Sequence, residues 1–421
     1  MKIDNSMLYE TLLRKELVPA LGCTEPGAVG YAAAKVREIS GCFPDHIDMY
    51  CSANIIKNVK SVNVPNSGGM KGIEAAAILG ILCGNPDDSL EIFRNAGEKE
   101  IKQAKQLSSA DYCTVHLKEG EGNLYIHAIA SYETGTAEII IKNTHTNIIQ
   151  IKKNGITLYE KTDNGNFIGS EADFLSVSGI IEYADSANID TLKDIMELQI
   201  RVNCAIAEEG LSKPYSSNVG KTLISAYGND IKTRAKAKAA AGSDARMGGS
   251  SLPVVINSGS GNQGIALSVP VVEYAREYNI SEDKLFRALA ISNLVSIHIK
   301  KNIGNLSAFC GAVNAACGSG AAITYMMGGT YEDICNTITA TLANVGGIIC
   351  DGAKASCAAK IAASIDAALL GYEMSKRKES FPPGDGIVSD DIEKTIKNFG
   401  IVGSEGMHET DVTIMKLMIN C

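Results

Sequence analysis

The chain has no tryptophan, eight phenylalanines in 421 residues, and no run of basic residues interleaved with aromatic ones. Its 39 Lys and Arg stand against 48 Asp and Glu, a net charge of -9. Such a surface lacks both the positive field and the stacking platforms that a nucleic acid needs, so no nucleic-acid partner is expected. Unbroken apolar runs are also missing. The most apolar regions, 251–275 and 338–371, are interrupted by Asn262, Gln263, Asp351 and Lys354, short of the roughly twenty residues of a membrane span. The opening MKIDNSMLYETLLRKELVPALG lacks the basic start, apolar centre and small-residue cleavage site of a signal peptide, and reads as an amphipathic helix. A cytoplasmic protein without membrane contact is expected. There is no internal repeat, low-complexity tract or long linker.

What is present is a large apolar fraction, 45%, enough for one large core or two ordinary ones. Two composition regimes divide it. From about 40 to 180, HIDMYCSANIIKNVKSVNV, YCTVHL, NLYIHAIASY, TAEIIIKNTHT and IIQIKK alternate with period two, and helices at about 70–84 and 90–106 interrupt them. This predicts an α+β domain over 1–180, a two-layer α/β sandwich with a mostly antiparallel sheet. From about 185 onward, Ala, Ile, Leu and Met recur at helical spacing with Gly pairs between, which predicts an all-helical domain over 181–421. AAKIAASIDAALLGYEMS, apolar on most faces, is expected at its centre. KRKESFPPGDG at 376–386 reads as an exposed loop.

Twelve cysteines are many for a reducing compartment and point to metal or catalysis before disulfides, although any single one packs well as core. In LGCTEPGAVGYAAAKV, Pro26 suits a first helical turn, so Cys23 sits just ahead of a helix N-terminus. That end favours an anion and lowers a thiol pKa, making Cys23 a candidate base, nucleophile or metal ligand, or else a buried Cys beside a capped helix. VPNSGGMKG offers Ser67, Gly68 and Gly69 as a carboxylate nest, or a generic strand-to-helix turn. SGSGNQG places Ser258, Ser260 and Asn262 on a Gly-rich turn before a helix, suited to an amino-acid carboxylate. It lacks the Lys-Ser/Thr ending of a P-loop and the spacing of a dinucleotide fingerprint. FCGAVNAACGSGAA and IICDGAKASCAAK set thiols at 310, 317, 350 and 357 among small residues, which leave room for an inorganic cluster. On one straight helix Cys350 and Cys357 would lie about 10.5 Å apart, so Cys350 is expected in a turn ending at Gly352, with Cys357 on the following helix. His46, His116, His127 and His145 fall in strand-like segments and read as satisfied or surface imidazoles. His408 stands beside Glu405, Glu409 and Asp411, near the C-terminal Cys421.

Taken in order, CTEPGAVGYAAA, SGGMKG, SGSGNQG, CGAVNAACGSGAA, CDGAKASCAAK and GSEGMHETD resemble the L-cysteine desulfidase family, and more remotely the iron–sulfur L-serine dehydratases, across essentially the whole chain. The resemblance implies a dehydratase beta-like domain followed by an alpha-like domain. It implies Cys310, Cys350 and Cys357 as ligands of a 4Fe-4S cluster with one iron open, and Cys317 as core. It also implies elimination of L-cysteine to hydrogen sulfide, ammonia and pyruvate without pyridoxal phosphate. Cys23 would act as base, while Ser67, Gly68, Gly69, Ser258, Ser260 and Asn262 would orient the substrate. Cys23 stands where serine dehydratases carry a Ser-Ser-His-Thr loop, which moves the expected leaving group from hydroxide towards sulfide. A homodimer is implied, and Cys421 is a possible plug for the open iron or a frayed end. The alternatives are an L-serine dehydratase on the same scaffold, or a cluster-bearing redox or sulfide sensor.

Overall fold

The computed structural model describes residues 6–122, 124–161, 172–215, 217–304 and 307–419. Its N-terminal part runs α1 (Ser6–Glu16), β1 (Pro19–Leu21), α2 (Thr24–Ser40), β2 (His46–Cys51), α3 (Ala53–Val59), α4 (Gly72–Cys83), a 3-10 segment (Pro86–Glu91) and α5 (Glu98–Ser108). It continues through β3 (Cys113–Leu117), β4 (Tyr125–Tyr132), β5 (Gly135–Lys142), β6 (Ile148–Lys153) and β7 (Ile156–Glu160). The last five strands and β2 form one sheet in the order β3-β2-β4-β5-β6-β7, parallel at β2/β3 and antiparallel elsewhere. Period-two alternation sorts its faces: Ile47, Met49 and Cys51 of β2 are buried, while His46, Asp48 and Tyr50 point the other way. Helices α2 and α4 cover the buried face, which completes the expected two-layer α+β arrangement.

Two segments depart from the expectation. HIDMYCSANIIKNVKSVNV does not continue as strand beyond Cys51: Ser52 adopts an extended conformation and α3 follows. The residues 53–59 satisfy a helical pattern as well as an alternating one, because Ile55 and Val59 at i, i+4 both bury. The opposite edge of this short helix then carries Asn54, Lys57 and Asn58. The helix expected over 90–106 begins only at Glu98, where the Gly97 N–H bonds the Glu100 carboxylate.

The helical part comprises α6 (Val177–Ser186), α7 (Ile189–Ser212), α8 (Val219–Tyr227), α9 (Ile231–Met247), β8 (Pro253–Val255), α10 (Gly261–Glu277), α11 (Glu282–Ile303), α12 (Gly311–Met326), α13 (Tyr331–Val345), α14 (Cys357–Lys376), α15 (Ile392–Ile401) and α16 (His408–Ile419). The central position falls to α12, which packs against α10, α11, α13 and α14. The expected occupant, α14, keeps one side towards solvent, with Leu370 46% exposed. Small residues decide this: Gly318 of α12 lies so near the Ser292 carbonyl of α11 that an added Cβ would fall 2.2 Å from it. The exposed 376–386 loop follows α14 as expected.

Residues 6–20 pack into the helical core rather than the sheet's, while 1–180 is the span expected for the α+β domain. Tyr9, Leu12 and Leu13 form an i, i+3, i+4 stripe buried with residues of α6, α7 and α11. After α1 the chain pairs β1 antiparallel to β8, with Ala20 opposite Val254. Among the described residues no helix is long and apolar enough to cross a membrane.

Replacing Gly318 by Ala should lower unfolding stability by about 1–3 kcal/mol through overpacking of backbone against backbone. A urea titration should show a lower midpoint with an unchanged slope.

Candidate active site

Where the sheet part meets the helical part, a cavity of about 290 Å³ opens. The N-terminus of α2 supplies Thr24 and Glu25, α3 supplies Asn58, and the hairpin between β5 and β6 supplies His145. From the helical side come Arg246 at the end of α9, Ser258 and Ser260 of the turn before α10, Asn262 and Gln263 in its first turn, Lys300 of α11, and the thiols Cys310, Cys350 and Cys357.

The three thiols come from two helix approaches, Cys310 from the one into α12 and Cys350 and Cys357 from the one into α14. Phe309 and Ile349 form an isolated antiparallel bridge, with the Cys310 N–H bonded to the Ile348 carbonyl at 2.9 Å and the Cys350 N–H to the Ala308 carbonyl at 2.6 Å. Cys310 is therefore the N-cap of α12, and its thiol hydrogen-bonds that of Cys350. Cys350 lies in an irregular segment and Cys357 opens α14, as the spacing predicts; the Cys357 sulfur accepts the Lys354 N–H at 3.4 Å. The hydrogen bond from Cys310 lowers the Cys350 pKa, helped by the Gly352 N–H and the charges of Lys57 and Lys300 against the cost of burial. Cys310, the donor, is pushed up by the same bond and by burial. Cys317 is wholly buried within α12, away from the cavity.

No group of three or more His, Cys, Asp and Glu among the described residues converges closely enough for a single metal ion. A 4Fe-4S cluster makes a different demand, one thiolate per iron. Three thiols lining one cavity, with buried Lys57 and Lys300 favouring the ionised form of Cys350, fit that donor chemistry.

The polar side is built around a turn. Ser258 has φ +48 and Gly259 φ +75, which folds the chain so that Ser260 becomes the N-cap of α10 and accepts the Gln263 N–H. Buried amides anchor it from below: Asn257 donates to Asn293 at 3.0 Å, and Asn293 exchanges hydrogen bonds with Gln199. From above, the Thr24 hydroxyl donates to the Gly259 carbonyl at 2.7 Å and to Glu25 at 3.1 Å, and Asn58 donates to the other Glu25 oxygen at 3.0 Å. Arg246, 4% exposed, gives its Nε–H to the Gly22 carbonyl at 2.9 Å. Four buried polar atoms on the cavity wall have no hydrogen-bond partner: Asn58 Oδ1, His145 Nε2, Asn262 Oδ1 and Gln263 Oε1. Buried polar atoms left unpaired cost about 1–3 kcal/mol each, so such a wall is built for a polar ligand.

Several expected site residues lie elsewhere. Ser67, Gly68 and Gly69 do not line the cavity; the Ser67 hydroxyl donates to the Met70 carbonyl at 3.1 Å and Gly68 packs near Ile101 of α5. Cys23 is the N-cap of α2, yet it sits behind the wall, 1% exposed, packed with Val62, Met247 and Cys357. Burial pushes its thiol up to about 11, against the attraction of Arg246, so the expected depression is reversed. Desolvation outweighs the helix terminus once the sulfur is closed off from water. His408 lies at the start of α16 on a neighbouring cavity that shares Leu124, Asn143, Lys300 and Ser307 with this one. Cys421 lies outside the described residues.

His46, His116 and His127 are satisfied by Thr114, Asp48 and Glu138 on the sheet surface, as their strand context predicts. His145 departs from that reading, because the hairpin delivers it into the site. Arg246, Lys300, Glu25 and Asn58 also escape sequence reasoning. The available signal is a charged residue set in a segment otherwise made of small and apolar residues, as in KAAAGSDARMGG and ISNLVSIHIK. Iodoacetamide at mildly alkaline pH should label exposed Cys42 and leave Cys23 unmodified in the folded protein. Peptide mass spectrometry reads this directly, and rapid labelling of Cys23 would contradict its burial.

The model of the serine dehydratase alpha chain family matches residues 87–416. The chain is 49% identical over 414 residues to a UPF0597 protein of Desulfitobacterium hafniense, covering 98% of this chain and 96% of the relative. It is 47% identical over 411 residues to one of Lachnoclostridium phytofermentans, covering 97% and 98%, and 46% identical to one of Treponema denticola along the full length of both. With its helical half and the three thiols inside the matched region, the chain belongs to the serine dehydratase alpha chain family and groups with the UPF0597 proteins, a family of dehydratase-type lyases.

Proposed function

We propose that this chain is an iron–sulfur lyase that eliminates sulfide from L-cysteine, giving hydrogen sulfide, ammonia and pyruvate. The observation that carries the reading is that Cys310, Cys350 and Cys357 line one cavity together with buried Arg246 and Lys300 and with the fixed carboxylate of Glu25. Cys310, Cys350 and Cys357 would hold a 4Fe-4S cluster, which when bound would supply a Lewis acid for a leaving sulfur.

The residues opposite the thiols suit a zwitterion. Arg246 and the N-terminal end of α10 provide positive potential for the carboxylate, with Ser258 and Ser260 as hydroxyl donors. Glu25, held by Thr24 and Asn58, faces the ammonium as a carboxylate that cannot turn away. Asn262 Oδ1 and Gln263 Oε1 are acceptors without an internal partner and offer the remaining hydrogen bonds. Removal of the α-proton leaves the C–H electron pair to form the Cα–Cβ double bond while sulfur departs with the Cβ–S pair. The aminoacrylate released tautomerises and takes up water, which yields ammonia and pyruvate. The same contacts would hold L-serine, so the choice between the two amino acids rests on the leaving group.

Anaerobic reconstitution with iron and sulfide should give a brown protein with about four irons per chain, consistent with one cubane. It should form pyruvate faster from L-cysteine than from L-serine. C310S, C350S and C357S should each lose iron and activity together. Arg246→Gln should raise KM about 10–100-fold, the loss of one charge-assisted contact. A reconstituted protein that binds iron but forms no pyruvate from either amino acid would sink the enzymatic reading in favour of a sensor.

A further inference from the structure

We propose that His145 is the catalytic base that removes the α-proton, an inference that rests on the elimination reading above. The imidazole is carried by the turn between β5 and β6, a segment with little freedom. Asn143 takes φ +75, the Lys142 N–H bonds the Asn147 carbonyl at 3.1 Å, and the Asn147 side chain donates back to the Lys142 carbonyl at 2.9 Å. This clasp holds Thr144, His145 and Thr146 on the cavity wall. The ring rests against the Cα of Gly259, where an added Cβ would fall 2.8 Å from His145 Cε1. Its Nε2 is closed off from solvent and hydrogen-bonds no protein atom. A buried ring nitrogen kept unpaired beside the ligand-binding turn is costly unless a ligand's proton meets it.

Neither of the two acidic groups nearest the site is as well placed to accept the proton. Glu25 is fixed by two donors, and Cys23 lies behind the wall with a thiol that is hard to ionise. The charged groups facing His145 are Glu25 from α2 and Arg246 from α9. Burial lowers its pKa, Arg246 lowers it further, and Glu25 opposes both. The imidazole is therefore neutral at physiological pH and able to accept. The proton passes from Cα to Nε2, the C–H pair becomes the new double bond, and Glu25 steadies the imidazolium until it returns its proton to water. No oxidant or reductant is needed.

The test compares reconstituted wild type, H145Q and H145A, with iron content and visible spectrum measured on each. L-alanine has no leaving group, so exchange of its α-proton in deuterium oxide, followed by NMR, isolates the proton transfer. Both variants should keep the cluster and a near-native KM for L-cysteine, while kcat and alanine exchange fall about 10²–10⁴-fold. Added imidazole should restore exchange in H145A. Wild-type kcat/KM should fall as acid protonates His145, below the ordinary imidazole range, and H145Q should lack this limb. Wild-type exchange and turnover in H145Q would overturn the proposal while leaving the elimination reading standing. A loaded wild type that neither exchanges nor eliminates would overturn both.

Discussion

The site depends on one seam, the contact between the start of α2 and the turn at 257–260. Three ties close it within a few residues: the β1/β8 ladder, the Thr24 hydroxyl on the Gly259 carbonyl, and the Arg246 guanidinium on the Gly22 carbonyl. Each is buried or nearly so, where a lost partner cannot be replaced by water. The seam sets Glu25 and His145, from the sheet half, against Arg246 and the thiols of the helical half. Packing alone would join the halves in many orientations, whereas directional bonds at this point select one.

Charge is the second theme. Arg246, Lys57 and Lys300 are all buried beside the cavity, and Lys57 is held by Asp411 of α16. Burying cations is expensive, and burial does lower the Lys300 pKa, with Cys350, Cys310 and Glu25 acting in the opposite direction. Thiols and cations therefore stabilise one another's charged forms, so the wall is electrostatically prepared for anionic contents before any arrive. The C-terminal helix enters this balance through Asp411, although it lies far along the chain.

Much of the architecture was legible because it rests on local periodicity. The alternating strands, the helix beginning after Cys23 and the turn before α10 follow from residue types a few positions apart. So does the separation of Cys350 from Cys357, which helix rise alone dictates. What escaped are the features fixed by tertiary competition. The segment 53–59 fits both periods, and only packing of Ile55 and Val59 makes it helical, which brings Asn58 to the cavity. The local sequence puts Cys23 at its helix start but carries no trace of Met247, Val62 and Cys357, which enclose it. His145 has the sequence context of any strand-flanking imidazole, and only the hairpin's reach across the seam brings it to the cavity. Ser67 to Gly69 form a turn with suitable chemistry in the wrong place, since composition carries no information about which wall a loop will join.

Gly259 lies where these contacts meet. Its carbonyl receives Thr24, its φ of +75 turns the chain into α10, and the imidazole lies where its side chain would be. The spacing between the two halves is thus gauged by a missing atom. Even a methyl there would act as a shim, wedging the hairpin away from the helical body and widening the gap that both halves must bridge. A position with three such duties has no compensating neighbour to absorb a change, so in a library of random variants it should be among the least forgiving in the chain.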